Sequence, residues 1–250
     1  MSDHKIDTHK IDTHKIDTHK IDKRDWDAHP PYVYPDYKST TFRGPTKPLV
    51  PIAHTLSELT IPAFGHEQIQ EFDNDLTING RVDGEPQGER IQVSGRVLDE
   101  YGRPQIGTLV EIWQANAAGR YIHKTDQHDA PIDPNFFGGG RCVTDENGRY
   151  TFLSIKPGAY PWGNHHNAWR PNHIHFSLFG MSFASRLVTQ MYFPGDPLLA
   201  LDPIFNATAD KIARESLVSK FSQKYSIPNI ALGYEFDIVL RGPAATPMEA

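Results

Sequence analysis

Residues 94–121 read SGRVLDEYGRPQIGTLVEIWQANAAGRY, and the fold class follows from this stretch. Two short apolar runs, IQVSGRVL (91–98) and TLVEIWQ (108–114), flank the turn signal Tyr101-Gly102-Arg103-Pro104. Side chains on a strand alternate between faces, so runs this short, β-branched and bounded by turn residues predict strands rather than helices. The pattern recurs downstream. RYTFLSI (149–155) follows Asn147-Gly148, and strands are expected around His173, at RLVTQMYF (186–193) and at FDIVLRG (236–242). Several short strands separated by turns predict an all-β chain with a β-sandwich core. One short helix is expected, ADKIARESLVSKF (209–221), with Asp202, Thr208 or Asp210 as its cap and Ile212, Val218 and Phe221 toward one face.

Outward from that core the chain changes character. The first 23 residues hold an exact tandem repeat, HKIDT three times and then HKID. A period of five matches neither the strand nor the helix repeat, so no continuous apolar face forms and a disordered tail is expected. Residues 24–87 are rich in Pro, Tyr and turn residues. PPYVYPDYKST (30–40) reads as an extended N-terminal arm whose Tyr32, Tyr34 and Tyr37 suit core, interface or pocket. Residues 88–245 form the sandwich domain in this reading.

The chain has 250 residues, 38% of them hydrophobic, which is enough for one substantial core plus extensions. A formal charge of −6 argues against a nucleic-acid partner, which needs a basic footprint. There is no apolar run of membrane-spanning length and no signal-peptide core, so no membrane partner is expected. The lone Cys142 cannot form an internal disulfide and is expected to be buried as a small apolar residue; a cytoplasmic location follows as an expectation.

The chemistry concentrates in WRPNHIHF (169–176). His173 and His175 are two apart on a predicted strand, so both imidazoles face one side and can reach one metal ion. Tyrosines stand upstream in Gly119-Arg120-Tyr121 and in Pro157-Gly158-Ala159-Tyr160. Phenolates are hard, strongly donating anions, and a pair of them with two histidines suits iron(III) better than divalent zinc. A facial-triad oxygenase would need a carboxylate close to the His-x-His, and no Asp or Glu occurs between His175 and Asp196. A zinc hydrolase would more often recruit a third histidine. His165 and His166 fall in a turn expected to face solvent or the pocket rim, His123 and His128 in a polar loop, and His29, His54 and His66 in no motif.

Together with DPNFFGGGR (133–141), KPGAYPWGN (156–164) and YEFDIVLRG (234–242), these segments resemble the intradiol ring-cleaving dioxygenases, in particular the iron-bearing chains that act on protocatechuate. The resemblance spans about residues 28–242. It implies a non-haem Fe(III) held by Tyr121, Tyr160, His173 and His175, with Tyr160 and His173 axial. Tyr160 would be the displaceable base, and Arg170 and Gln190 would stabilise developing negative charge. It also implies that Tyr37, Trp162 and Ile204 line the substrate pocket. The substrates would be protocatechuate and O2, with 3-carboxy-cis,cis-muconate as product. The partner would be an α subunit of similar fold that lacks the ligands, in a larger symmetric hetero-oligomer. Asn172 and Gly163 depart from the family pattern, and the HKIDT tail is foreign to it.

Two other readings stay open on the sequence. Relatives that prefer catechol or hydroxyquinol carry a helical N-terminal dimer domain, which is not visible here. Non-catalytic sandwich modules resembling transthyretin share the turn and strand pattern, but they lack Tyr121 and the His173/His175 pair.

Overall fold

The computed structural model describes residues 28–48, 50, 65–179 and 186–249. The HKIDT repeat and His54 lie outside the described residues. Eleven strands are present among those described, in two main sheets and one hairpin. β1 (Arg90–Leu98) is the axis of the first sheet. It pairs antiparallel with β4 (Arg149–Ile155) along one side, and parallel with β10 (Leu232–Glu235) and then β11 (Ile238–Val239) along the other. β9 (Lys220–Phe221) continues beyond β10. The second sheet is antiparallel, β3 (Gly139–Val143), β2 (Leu109–Trp113), β7 (His173–Phe179) and β8 (Arg186–Tyr192) in that order. A separate hairpin joins β5 (Tyr160–Trp162) to β6 (Ala168–Arg170).

The inward residues of the two sheets make one core. Ile91, Val93 and Val97 of β1 and Phe152 of β4 meet Val110 and Ile112 of β2 and Ile174, Phe176 and Leu178 of β7. Alternation along β1 and β4 puts these side chains inside and their neighbours outside, which is the reason the strands form where they do. Full burial of each such side chain contributes roughly 1.5–3 kcal/mol. Cys142 belongs to this core as expected, and burial pushes its thiol up to about 12. The turns between strands are held by carboxylates. Asp99 Oδ1 accepts from the Tyr101 and Arg103 amides, and Asp145 Oδ1 from those of Asn147 and Arg149. At Gly95 any Cβ would run into the carbonyl oxygen of Phe236, the point where the chain leaves β10 for β11. The expected single strand over 236–242 is therefore shorter, with Phe236 buried and only Ile238–Val239 paired.

The helical expectation needs correction. α1 (Thr40–Arg43), α2 (Pro203–Asn206) and α3 (Lys211–Ser216) are all present, so there is more than one short helix. α3 covers only the first half of the expected span, because Val218 bridges to Tyr192 and Phe221 enters β9. Ile212 and Phe221 are exposed, and Ala213 and Leu217 are the buried residues. Backbone pairing to the sheet outweighs weak helical propensity over 218–221. Two of the proposed caps are real, at different helices. Asp210 accepts from Ala213 N at the start of α3, and Asp202 from Ile204 N at the start of α2.

The irregular segment before β1 packs on the sandwich. Leu76 is fully buried in the core, and Asp73 forms an ion pair with Arg141 of β3 at 2.7 Å. Among the described residues no helix is long and apolar enough to cross a membrane.

Candidate metal centre

Strand register assembles the site at one end of the second sheet. His173 and His175 point the same way from β7, their ring centroids 4.9 Å apart. On one side His175 lies opposite Trp113 of β2 and stacks on it at 4.7 Å with planes 4° apart. On the other side His173 and His175 lie opposite Tyr192 and Gln190 of β8. In the hairpin, Tyr160 lies opposite Arg170. The hairpin turns Tyr160 toward β7, where its Oη donates to His173 Nε2 at 3.3 Å.

Tyr121 arrives from a loop. Asn116 Oδ1 accepts from the amides of Ala118 and Arg120, and Asp126 from the amide of Tyr121 itself. At Gly119, φ is +77° and a Cβ would strike the Ala159 carbonyl oxygen, so only glycine lets the two tyrosine-bearing segments touch. The Tyr121 and Tyr160 rings then meet edge to face at 5.5 Å, and the Tyr121 and His175 centroids lie 6.4 Å apart. All four residues singled out as ligands are therefore brought together. Among the described residues no group of three or more His, Cys, Asp or Glu converges.

Three of these side chains, Tyr121, Tyr160 and His173, are pushed toward their neutral forms by their surroundings. Burial, followed by the neighbouring Tyr160 phenol, pushes the Tyr121 phenol well above its usual range, and burial likewise raises Tyr160. Burial, reinforced by the Arg170 charge, pushes His173 well below the usual imidazole range. His173 Nδ1 donates to the Pro171 carbonyl at 2.6 Å, which leaves Nε2 as the lone-pair nitrogen. Five buried side-chain polar atoms among the described residues lack a hydrogen-bond partner, and Tyr121 Oη, Trp162 Nε1 and Gln190 Nε2 are three of them. Unpaired buried polar atoms are uncommon, and their gathering here fits a site built for a metal and a ligand. Phenols and imidazoles that a cation must ionise or accept from fit a trivalent iron.

Arg170 is nearly fully buried beside the ligands. Its Nε pairs with Asp202 at 3.2 Å, and its terminal nitrogen donates to Gln190 Oε1 and to Tyr192 Oη. Burial opposes the guanidinium charge, but Tyr192 and Asp202 around it outweigh burial and hold it protonated. The same guanidinium lies over the Trp162 ring at 5.7 Å, and Tyr37 meets that ring at 5.3 Å. Asn164, buried, fastens the arm here by accepting from Lys38 N and donating to Asp36 O. Ile204 is buried and borders a small cleft with Gln190, Tyr192 and Glu249. His165, His166 and His123 are exposed, and His128 packs edge-on against Trp169, so none of them joins the ligands. His66 bonds Gly107 O, and His29 accepts from Met248 N. Around Gly163 a Cβ would meet open space, and Asn172 N donates to Asp196.

Sequence reasoning missed Asn116, Asn164, Tyr192 and Glu249, and gave Asp202 only a capping role. Glu249 Oε2 lies 3.1 Å from His175 Nδ1. Asn164, Tyr192 and Glu249 act through partners distant in sequence, which no local signal marks, whereas Asn116 acts locally on the amides of Ala118 and Arg120. A cleft of about 340 Å³ bordered by Glu89, Arg90, Ile227 and Leu232 lies apart from all of this and holds none of the candidate ligands.

A family profile described as "Dioxygenase" matches residues 59–242, and one described as "Protocatechuate 3,4-dioxygenase beta subunit N terminal" matches residues 23–55. A protocatechuate 3,4-dioxygenase beta chain of Burkholderia cepacia is 66% identical over 89% of this chain and 94% of its own length. A hydroxyquinol 1,2-dioxygenase of Rhizobium sp. (strain MTP-10005) is 34% identical over 54% of this chain and 46% of its own. Among solved structures, the 3-chlorocatechol 1,2-dioxygenase of Rhodococcus opacus 1CP superposes with a TM-score of 0.52 at 24% identity, covering 68% of this chain and 66% of that one, and so shares the fold.

Proposed function

This chain belongs to the intradiol ring-cleaving dioxygenase family, and with that as premise we propose that it is the iron(III)-bearing chain of an enzyme cleaving protocatechuate with O2 to 3-carboxy-cis,cis-muconate. The observation that carries the reading is the convergence of half-buried Tyr121 and Tyr160 with buried His173 and His175, with no carboxylate among the donors. The match of residues 23–55 to the protocatechuate branch supports this substrate over catechol or hydroxyquinol. The high identity to a chain named as a beta chain supports an α partner, for which the exposed Tyr32, Val33 and Phe42 of the arm supply apolar contact. A cytoplasmic location is part of the same proposal.

Tyr121, Tyr160, His173 and His175 would hold the metal, and a bound iron(III) would supply the charge that ionises the phenols below their free range and the Lewis acidity that activates a catechol toward O2. Protein groups do the remaining work. Tyr160 Oη, ionised once a metal is bound, would be the base that takes one proton from a substrate hydroxyl: burial raises this phenol, Arg170 beside it partly offsets that, and it sits on a short hairpin rather than the sheet. Tyr121, locked by the Gly119 turn, stays in place. His173 and His175 are aimed from a rigid strand. Arg170, clamped by Asp202 and Gln190, presents a fixed positive charge where negative charge develops on the ring. Trp162 and Tyr37 wall the pocket and limit water entry.

Iron content and the visible spectrum, recorded before and after anaerobic addition of protocatechuate, test the reading. The expected result is bound iron, a tyrosinate charge-transfer band, and a shift of that band on substrate binding, followed by the carboxymuconate once oxygen is admitted. A yellow semialdehyde as the main product would point to cleavage beside the diol and refute it.

A further inference from the structure

The two histidines are held by different means. His173 is fixed by a backbone carbonyl two residues away, whereas His175 finds its partner 74 residues on, in the last described residues of the chain. A carboxylate oxygen 3.1 Å from Nδ1 suits the tautomer with its proton on Nδ1, the one that leaves the Nε2 lone pair for a metal. The two rings then present the same nitrogen to the space between the tyrosines. Trp113 holds the plane of His175 by stacking, but a stack does not choose between the two ring orientations related by a half-turn about Cβ–Cγ. The Glu249 contact makes that choice.

Glu249 is itself held along a defined track. Thr246 N donates to Val239 O, and Val239 N to Thr246 Oγ1, tying the segment to β11. Thr189 Oγ1 donates to Pro247 O, and Glu249 N donates to Val188 O, so the segment covers the free edge of β8. Met248 N donates to His29 Nδ1 in the arm. Ala245 and Thr246 are buried. Every residue from 246 to 249 thus has a main-chain atom bonded outside the segment, Thr246 to β11, Pro247 and Glu249 to β8, and Met248 to the arm.

We propose that residues 245–249 act as a strap from the first sheet to the edge of the second, and that Glu249 is a positioning residue whose carboxylate holds His175 by Nδ1 and aims Nε2 at the metal. The inference rests on the iron-site reading above and adds to it an outer carboxylate of the kind that orients metal-bound histidines.

The test is a series, Glu249→Asp, Glu249→Gln and Glu249→Ala, made in the full assembly with its α partner. Iron content is measured, together with the rate of iron loss to a chelator followed through the charge-transfer band. Melting of the metal-free protein is the control. The expected result is iron loss faster by roughly ten- to hundred-fold in E249A, as for loss of other outer partners of metal-bound histidine. E249Q, which keeps an acceptor oxygen but no charge, should fall between E249A and wild type. The metal-free melting temperature should stay within about 2 °C throughout, because only a partly exposed side chain changes. Iron loss in E249A and E249Q as slow as in wild type would overturn the strap while leaving the metal centre standing. Iron loss that follows the metal-free melting temperature across the series would reduce Glu249 to a packing role and overturn it too. A wild-type assembly that takes up no iron would overturn both readings.

Discussion

Replacing Asp202 by Asn tests the polar centre of the site. The side chains of Arg170 and Asp202 are 4% and 0% exposed and lie 3.2 Å apart, so neither charge has water to fall back on. At that separation and an effective dielectric of about 20, the attraction is about 5 kcal/mol. Breaking a buried pair from one side costs about 3–5 kcal/mol, because the remaining charge stays buried without its counterion. Asn keeps the shape and an oxygen for the Ile204 amide, so the cap at α2 survives and the loss is mainly that of the charge. Asp202→Ala should lose about 1 kcal/mol more with the cap. Against a total stability of about 5–15 kcal/mol these are large changes. The assay is urea unfolding of wild type, D202N, R170Q and the double variant at equal iron loading, with kcat and KM measured alongside. The double variant removes both charges and should be more stable than D202N alone. In D202N the guanidinium loses its clamp, so kcat should fall more than KM changes. A D202N protein within about 1 kcal/mol of wild type, or a double variant less stable than D202N, would refute the argument that Arg170 is held by compensation of buried charge.

Three further outcomes are expected. Tyr160→Phe should retain iron, since it removes only the displaceable ligand, but weaken protocatechuate binding and shift the charge-transfer band, while Tyr121→Phe, which removes a ligand that stays in place, should lose iron; metal analysis and the visible spectrum distinguish them. Gly119→Ala must push the Tyr121 loop away from Ala159, and should cost about 1–3 kcal/mol in unfolding assays together with a weakened charge-transfer band. Burial raises the Asp73 carboxyl, but the Gln70 amide and Arg141 outweigh it and hold it below its usual value. The stabilisation is therefore present above the unfolded value of 3.8 and lost as pH falls through the folded one, so Asp73→Asn should cost about 0.5–1 kcal/mol at neutral pH and nothing well below pH 4 by melting temperature against pH.

The strands around the site were legible because alternation is a local property. RYTFLSI and β4 coincide residue for residue, and IQVSGRVL differs from β1 by one residue at its start. The helix after Ala209 was only half legible. Its second half is claimed by pairing with β8 and β10, which no windowed pattern contains. In the site, the His-x-His and the tyrosines after Gly-Arg and Gly-Ala could be read because each sits in a motif. Glu249, Asn164 and most of Asp202's role could not.

By itself, then, the sequence marked which side chains are chemically suited to a hard metal ion and where the longer strands run, because side-chain chemistry and two-residue periodicity belong to each segment alone. The tertiary structure alone decided which distant groups share a desolvated volume. Only folding sets Tyr121 against Tyr160 across a glycine, buries Arg170 with Asp202, and brings Glu249 to His175. A polar side chain has no preferred partner while water surrounds it; it acquires one when two surfaces exclude that water together, and that pairing is a property of the closed sandwich.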